Sequence, residues 1–327
     1  MRTPVSDPLT LGSYRVVGRL ASGGMGWVYL GRSRSGRALA IKVVRPELAS
    51  DPEFRSRFAR EVEAARAVSG AFTAAVVDAD IEGDPPWLAT VYVPGPSLAE
   101  AVRADGPLTA SAVRTLGVGL VEALQAIHAV GVVHRDLKPA NVLLAEDGPR
   151  VIDFGISMLG GANPITRVGE VMGTPSFMSP EQLRGEPAGP ASDVFALGAV
   201  LVFAAAGRPP FGSGAGVMYR ITEQPPDLDG VPAGLRGLVG ACLAKAPGRR
   251  PDLDVLLDGL IGVRNSAQVW PPPRVAESIR VRTDDLEARN HSRGPVLPVS
   301  SYLLLHAQAL LDAGLTDALV AEAAGRG

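Results

Sequence analysis

The chain is poor in cysteine and lysine, has no excess of charge of either sign, and has no long hydrophobic run. A single cysteine, Cys242, excludes any intramolecular disulfide and reads as a small buried hydrophobe. A formal net charge of −2 leaves no basic footprint for nucleic acid or another polyanion, so no nucleic-acid partner is expected. The opening residues, Met1 to Pro8, lack the apolar stretch of a signal peptide. The most apolar run, Phe195 to Ala206, is shorter than the roughly 20 residues needed to cross a bilayer, and reads as a helix buried in a large domain. No membrane span is expected, and the expected location is cytoplasmic. Hydrophobic residues make up 46% of the 327, enough for a substantial core, which excludes intrinsic disorder of the bulk.

Lysine is the most informative scarcity. Lys and Arg together number 32, yet lysine occurs only as Lys42, Lys138 and Lys245. Lys42 ends the apolar run Leu39-Ala40-Ile41-Lys42, and Lys138 lies in His134-Arg135-Asp136-Leu137-Lys138-Pro139-Ala140-Asn141. A compact ammonium and a planar guanidinium are not interchangeable at a phosphate oxygen, so a lysine kept in an arginine-rich sequence points to phosphate chemistry. Asp136 can orient an attacking hydroxyl, and Lys138 can neutralise charge on a transferred phosphoryl group. Asn141 and Asp153, the latter in Asp153-Phe154-Gly155, offer the hard oxygen donors that Mg²⁺ prefers. Upstream, Leu20-Ala21-Ser22-Gly23-Gly24-Met25-Gly26-Trp27-Val28 reads as a hairpin whose glycines let backbone N–H groups approach phosphates. A cation in a nucleotide cleft needs a carboxylate to hold it, and Glu61 is the candidate partner for Lys42. Glu63 competes, but two residues along a helix point in different directions.

The order of elements agrees with such a site. Tyr14 to Val17, Trp27 to Leu30 and Ala38 to Val44 read as strands, and Asp51-Pro52 opens a helix through Val68 with Phe54, Phe58, Val62 and Ala65 on one face. Val76-Val77 and Trp87 to Val93 read as further strands, and Pro94-Gly95-Pro96 as a hinge. Helices are expected over Ser97 to Ala104, over Thr109 to Val130 with Thr109 as N-cap, over Ala191 to Ala206, around Leu235 to Ala244, and over Leu253 to Leu260. Val132 to Glu181 reads as loop and short strand.

With Gly173-Thr174-Pro175 and Ser179-Pro180-Glu181 added, the chain resembles the bacterial Hanks-type (eukaryotic-like) serine/threonine protein kinases from about Tyr14 to Val263. The resemblance implies an α+β, two-lobed protein-kinase fold: a small β-rich N-lobe over 14–93 with one main helix, and a larger, mostly helical C-lobe over 94–263. Residues 1–13 would be an extension, and 264–327 a Pro-containing linker and helical tail. It implies ATP and Mg²⁺ as cofactors, protein substrates, and room for a homodimer through the N-lobe. Glu181 would pair with Arg250, and Asp193 would anchor the catalytic-loop backbone. Thr174 would hydrogen-bond Asp136 and Lys138, a serine/threonine rather than tyrosine pattern. Thr90 would be the gatekeeper, Val91 and Val93 would meet the adenine edge through their backbone, and Val28, Ala40 and Leu143 would enclose the base. Arg135, before the catalytic Asp136, would face a phosphorylated activation loop, with Thr166 the first candidate phosphosite and Ser157 the second. The sequence departs from the family at Ala21, where the loop's first glycine would stand, and mildly at Ser179.

The expected function is transfer of the γ-phosphate of Mg·ATP to protein Ser/Thr hydroxyls, with autophosphorylation of the activation loop, as a non-specific serine/threonine protein kinase. The alternative is a pseudokinase scaffold that binds nucleotide without transfer. It is disfavoured because Lys42, Glu61, Asp136, Lys138, Asn141 and Asp153 are all present. A small-molecule kinase of the aminoglycoside-phosphotransferase type would lack the Gly-Thr-Pro to Ser-Pro-Glu segment. Beyond Pro271-Pro272-Pro273, residues 280 to 293 read as charged and exposed. Ser301 to Ala324 resembles half of a tetratricopeptide-type hairpin, which alone cannot bury its face and reads better as a tail helix packing on the kinase or on a partner.

Overall fold

The computed structural model describes residues 8–68, 70–153, 175–262 and 270–291. Phe154, Gly155, Ser157, Thr166, Thr174 and the segment 292–327 therefore lie outside the described residues.

The N-lobe is a six-stranded antiparallel sheet with strand order β1-β2-β3-β4-β6-β5. Its strands are β1 (Thr10–Leu11), β2 (Tyr14–Ser22), β3 (Gly26–Arg32), β4 (Ala38–Val44), β5 (Val76–Asp80) and β6 (Trp87–Val91). Alternation along β4 sets its use. Leu39, Ile41 and Val43 are almost wholly buried on one face with Tyr14, Tyr29 and Trp87, while Ala40 and Lys42 point to the other face, the cleft. Between β4 and β5 lie α1 (Pro46–Ala49) and α2 (Pro52–Ala67). Asp51 caps α2 by accepting the Glu53 N–H at 2.9 Å, and Pro52 occupies the first turn, where a missing N–H costs nothing. The face of α2 carrying Phe54, Phe58 and Val62 packs with Leu88 and Val44, and Glu61 lies on that buried side.

The hinge leads into α3 (Leu98–Asp105), α4 (Ala110–Ala129) and the hairpin β7 (Val142–Ala145) to β8 (Gly148–Val151). Ser97 and Glu100 cap α3 reciprocally: Glu100 N–H donates to Ser97 Oγ, and Ser97 N–H donates to Glu100 Oε2 at 2.8 Å. Thr109 caps α4 as expected, accepting the Ala112 N–H at 3.3 Å. By length and composition α4 could cross a membrane, but Val113, Leu116, Leu120, Leu124 and Ile127 are all 0% exposed within the C-lobe core.

The remaining elements are α5 (Pro180–Leu183), α6 (Pro190–Ala206), α7 (Val217–Glu223), α8 (Ala233–Cys242), α9 (Leu253–Gly262) and α10 (Pro273–His291). The apolar run becomes α6, buried on nearly every side and ended by Gly207 in the left-handed region at φ 74°. Cys242 packs in the same core, where burial pushes its thiol up to about 12.

Beyond β1, α1 and α7, which no sequence pattern marked, two differences from the sequence-based expectation bear on the cleft. The strand into the hinge stops at Val91, not Val93. The charged stretch after the Pro triplet is the latter part of α10, which is not detached. Val275 and Ile279, one turn apart, are 2% and 8% exposed and join the C-lobe core, with Trp270 packed beside them. A helix can seat on a core through one such pair while the rest of its surface stays charged.

Candidate active site

A cavity of about 550 Å³ opens between the lobes, a volume in the range of small-molecule sites. Its roof is Leu20, Ala21, Ser22 and Gly23 with Val28 and Ala40, and its floor includes Leu143. Thr90, Val91 and Val93 form its back edge. The Val91 N–H already donates to Ala75 O at 3.0 Å, so Val91 can offer only its carbonyl to an occupant. Lys42, Glu61, Asn141 and Asp153 converge at the deep end.

Gly24 and Gly26 do not line the cavity. Gly26 is required elsewhere: a Cβ there would fall 1.9 Å from the Val43 carbonyl, so only glycine permits this pairing of β3 on β4. A Cβ at Gly23 or Gly24 would meet nothing within 4 Å, so both stand in open space. Ala21 pairs with Val28 just past a register shift in β2, away from the left-handed region, so the missing glycine carries no backbone penalty. Arg45, which no sequence motif singles out, clasps the turn. It lies 5.0 Å over the Trp27 ring and donates twice to Gly23 O, at 3.1 and 2.9 Å.

The loop from His134 to Asn141 is built around two carboxylates. Asp136 Oδ2 accepts from Lys138 Nζ at 2.7 Å and from Asn141 Nδ2 at 3.1 Å. Asp193, 1% exposed on α6, accepts the backbone N–H groups of His134 and Arg135, each at 2.8 Å, and contacts His128 Nε2 at 2.8 Å. These bonds hold Arg135 at φ 65°. Among the described residues only Asp153, at φ 58°, shares that left-handed state without being glycine. Such conformations cost on the order of 1–3 kcal/mol each and persist where surrounding contacts fix them.

Below the loop, Arg250 grips Glu181 with two parallel bonds of 2.6 and 2.8 Å, and Ser192 Oγ adds a third at 2.7 Å. Burial alone would raise the Glu181 pKa. The hydrogen bonds from Arg250 and Ser192 outweigh it and bring the group down to about 2. Gln182, which sequence reasoning missed, ties this layer to the loop through Nε2 to Arg135 O at 2.8 Å. Its signal was legible as the Ser179 to Gln182 capping box. Lys245, the third lysine, packs 4.0 Å over the Phe211 ring and has no part in the cleft.

The expected Lys42–Glu61 pairing is corrected. Lys42 Nζ lies 3.1 Å from Asp153 Oδ1, and neither Glu61 oxygen has a hydrogen-bond partner among the described residues. The reason is desolvation. Glu61 is 6% exposed, and burial pushes its carboxyl up to about 8 despite the nearby cations Lys42 and Arg135. At neutral pH a carboxyl held mostly neutral attracts an ammonium weakly, and the partly exposed Asp153 is the better partner. Glu63 is exposed and offers no alternative.

A pH dependence follows. The folded chain keeps the Glu61 proton up to about pH 8, whereas unfolding restores the ordinary value of 4.5. This contribution to stability is complete below pH 4.5 and is lost as pH rises through 8. Glu61→Gln is expected to remove it: denaturant midpoints of wild type and variant should agree near pH 5, with the variant higher near pH 8.5. Parallel pH profiles would rule out a buried, protonated Glu61.

A β-rich lobe lies over a helical lobe, with Lys42, Asn141 and Asp153 lining the cleft between them and Asp136 bonded to Asn141 beside it. The chain belongs to the protein kinase domain family, which it matches over residues 14–259. It is 53% identical over 275 residues to the probable serine/threonine-protein kinase PkwA of Thermomonospora curvata, a match covering 84% of this chain and 37% of that protein. It is 50% identical over 309 residues to the serine/threonine-protein kinase AfsK of Streptomyces coelicolor, covering 88% of this chain and 39% of the relative. The chain thus spans less than two fifths of the length of these two relatives. The crystal structure of the Mycobacterium tuberculosis PknI kinase domain is similar with a TM-score of 0.63 and 28% identity, covering 80% of this chain and 99% of that one. These relatives place the chain in the bacterial Hanks-type group, a family that uses ATP, a divalent metal and protein substrates in general.

Proposed function

We propose that the chain transfers the γ-phosphate of Mg·ATP to Ser or Thr hydroxyls of proteins as a non-specific serine/threonine protein kinase, and phosphorylates its own activation loop. The observation that carries this reading is the Asp136 carboxylate bonded to both Lys138, at 2.7 Å, and Asn141, at 3.1 Å, beside the deep end of the interlobe cavity.

Asp136 accepts the hydrogen bond of the incoming hydroxyl and aims its oxygen in line with the γ-phosphorus. Lys138 neutralises charge that builds on the transferred group, and in serving a short hydroxyl it favours Ser/Thr over Tyr. Lys42 meets the phosphates at the α/β end, and the Gly23 turn covers them. Leu20, Val28, Ala40 and Leu143 enclose the base, Thr90 limits depth, and the backbone of Val91 and Val93 reads its edge.

Asn141 and Asp153 fit a divalent cation. Both face the same cavity, and the Asn141 amide nitrogen is engaged by Asp136 O and Oδ2, so its oxygen is the atom suited to a metal. Mg²⁺ bound there would supply charge neutralisation and orientation of the phosphates. Glu181, Arg250 and Asp193 support this layer without touching substrate. Outside the described residues, Thr174 is proposed as the hydroxyl that bonds Asp136 and Lys138, and Thr166 and then Ser157 as the phosphosites.

The test is transfer of labelled γ-phosphate from Mg·ATP to the chain itself and to a generic Ser/Thr acceptor, with sites mapped by mass spectrometry. Label on Thr166 or Ser157 and on the acceptor is the expected result. Nucleotide binding with no label anywhere would replace this reading by that of a binding scaffold.

A further inference from the structure

The cavity contains one lining residue from outside the matched family region. Arg282, on α10, joins its rim although the family match ends at 259. Its Nη2 lies 3.4 Å from Glu100 Oε2, the same oxygen that accepts the Ser97 N–H at 2.8 Å. Gly95, Ser97 and Glu100 all line the cavity, so Arg282 acts on the segment where the hinge becomes α3.

That segment is already pressed on the floor strand from within. Leu144 N–H donates to Pro96 O at 2.8 Å, Ser97 bridges Leu143, and a Cβ at Gly95 would fall 2.1 Å from Leu144 O. Residues beyond the family region hold it from outside. Trp270 Nε1 donates to Ala145 O at 3.0 Å at the end of β7, and Val275 and Ile279 seat α10 on the C-lobe. Arg274 pairs with Asp105 at 3.0 Å, and Arg32 of the N-lobe donates to the Leu286 carbonyl. Helix α10 thus touches both lobes on the hinge side.

We infer that Arg282 is a positioning residue of the nucleotide site, supplied by α10, which fixes the Ser97–Glu100 rim and offsets the Glu100 charge where ATP enters. The inference rests on the kinase reading above. Its physical basis is electrostatic as well as geometric. ATP is a polyanion, and removal of Arg282 makes the potential at the mouth of its pocket more negative beside the Glu100 carboxylate. The pair is only partly exposed, with side-chain exposures of 21% and 33%, so its removal should be felt.

The experiment is steady-state kinetics of the full chain, varying ATP and acceptor peptide separately at two salt concentrations. Arg282→Ala should raise KM for ATP by roughly threefold to tenfold, less at high salt, with the loss absent from KM for peptide. Arg282→Lys should recover most of it, and Glu100→Gln added to Arg282→Ala should recover part. Arg280→Ala, an exposed neighbour paired with Glu277 and Asp284, should match wild type. Three outcomes overturn the inference: KM for ATP in Arg282→Ala within about twofold of wild type, no recovery by either second variant, or an equal rise in the Arg280→Ala control. Absence of nucleotide binding and transfer in wild type would instead overturn the kinase reading on which it rests.

Discussion

Asp136→Asn is expected to lower kcat for phosphate transfer by about 10²- to 10⁴-fold, the range associated with a positioned acid–base group. The replacement keeps the size of the side chain but removes its charge. It also turns an all-acceptor carboxylate into an amide with two donors, facing Lys138 at 2.7 Å and Asn141 at 3.1 Å, both themselves donors. Both donors meet the same oxygen, Oδ2, so an amide oxygen there keeps both bonds, the amide nitrogen takes the place of Oδ1, and the substrate hydroxyl loses its acceptor. Asp136 is not among the residues that line the cavity, so ATP affinity should be retained. Single-turnover transfer with nucleotide binding measured alongside separates the two effects. A variant that keeps kcat within about tenfold of wild type would remove Asp136 from its role.

Arg250→Ala is expected to cost about 3–5 kcal/mol of folding stability, because it strands a buried carboxylate without its partner. The side chains of Arg250 and Glu181 are 1% and 4% exposed, so solvent cannot replace the lost bonds. Arg250 also donates to the carbonyls of Ala244, at 2.9 Å, and Ala191, at 2.8 Å, and lies 5.0 Å over the Phe195 ring. Domains are stable by about 5–15 kcal/mol in total, so the variant should be marginal. Urea unfolding at pH 7 measures the loss. The pH profile gives a second signature. Glu181 is held near 2 when folded against an ordinary 4.5, so its contribution is full above 4.5 and fades as pH falls toward 2. Arg250→Ala should flatten that acid limb. Replacing both partners with apolar residues of similar volume should restore much of the stability, since the cost lies in the orphaned charge. A single variant that loses less than about 1 kcal/mol would contradict the burial of this pair.

The legible parts of the molecule were those where local chemistry and tertiary use agree. Thr109 and Asp51 cap the helices they were expected to open, and the alternation of Leu39, Ile41 and Val43 is the core face of β4. Glu61 was placed on the correct helix, α2, but its partner could not be read. Whether a carboxyl binds a cation depends on its burial and on competing carboxylates, and Asp153 arrives from a distant segment. Helix α10 was obscured because, among the described residues, its buried apolar side chains are only Val275 and Ile279, and no local pattern distinguishes one apolar pair on a charged helix from a solvated one. The left-handed backbone at Arg135 and Asp153 was likewise invisible, since Arg does not signal it and the preference of Asp for it is too weak to mark one position. The seven-residue α7 is too short to leave a period in the sequence.

Asp193 has a consequence for how the two lips of the cleft breathe. Its carboxylate takes the amide protons of His134 and Arg135, and it stands on α6, where Ser192 through Val202 are all buried. Those two amides can meet solvent deuterium only when the C-lobe core itself opens, so their exchange should track the global unfolding free energy. Gly23 and Gly24 are exposed, and the Gly23 N–H is held by one local bond, to Gly26 O at 2.9 Å, so both should exchange through local fraying. Protection factors across the cleft should therefore differ by orders of magnitude between an upper lip that opens freely and a lower lip that stays closed for as long as the C-lobe remains folded.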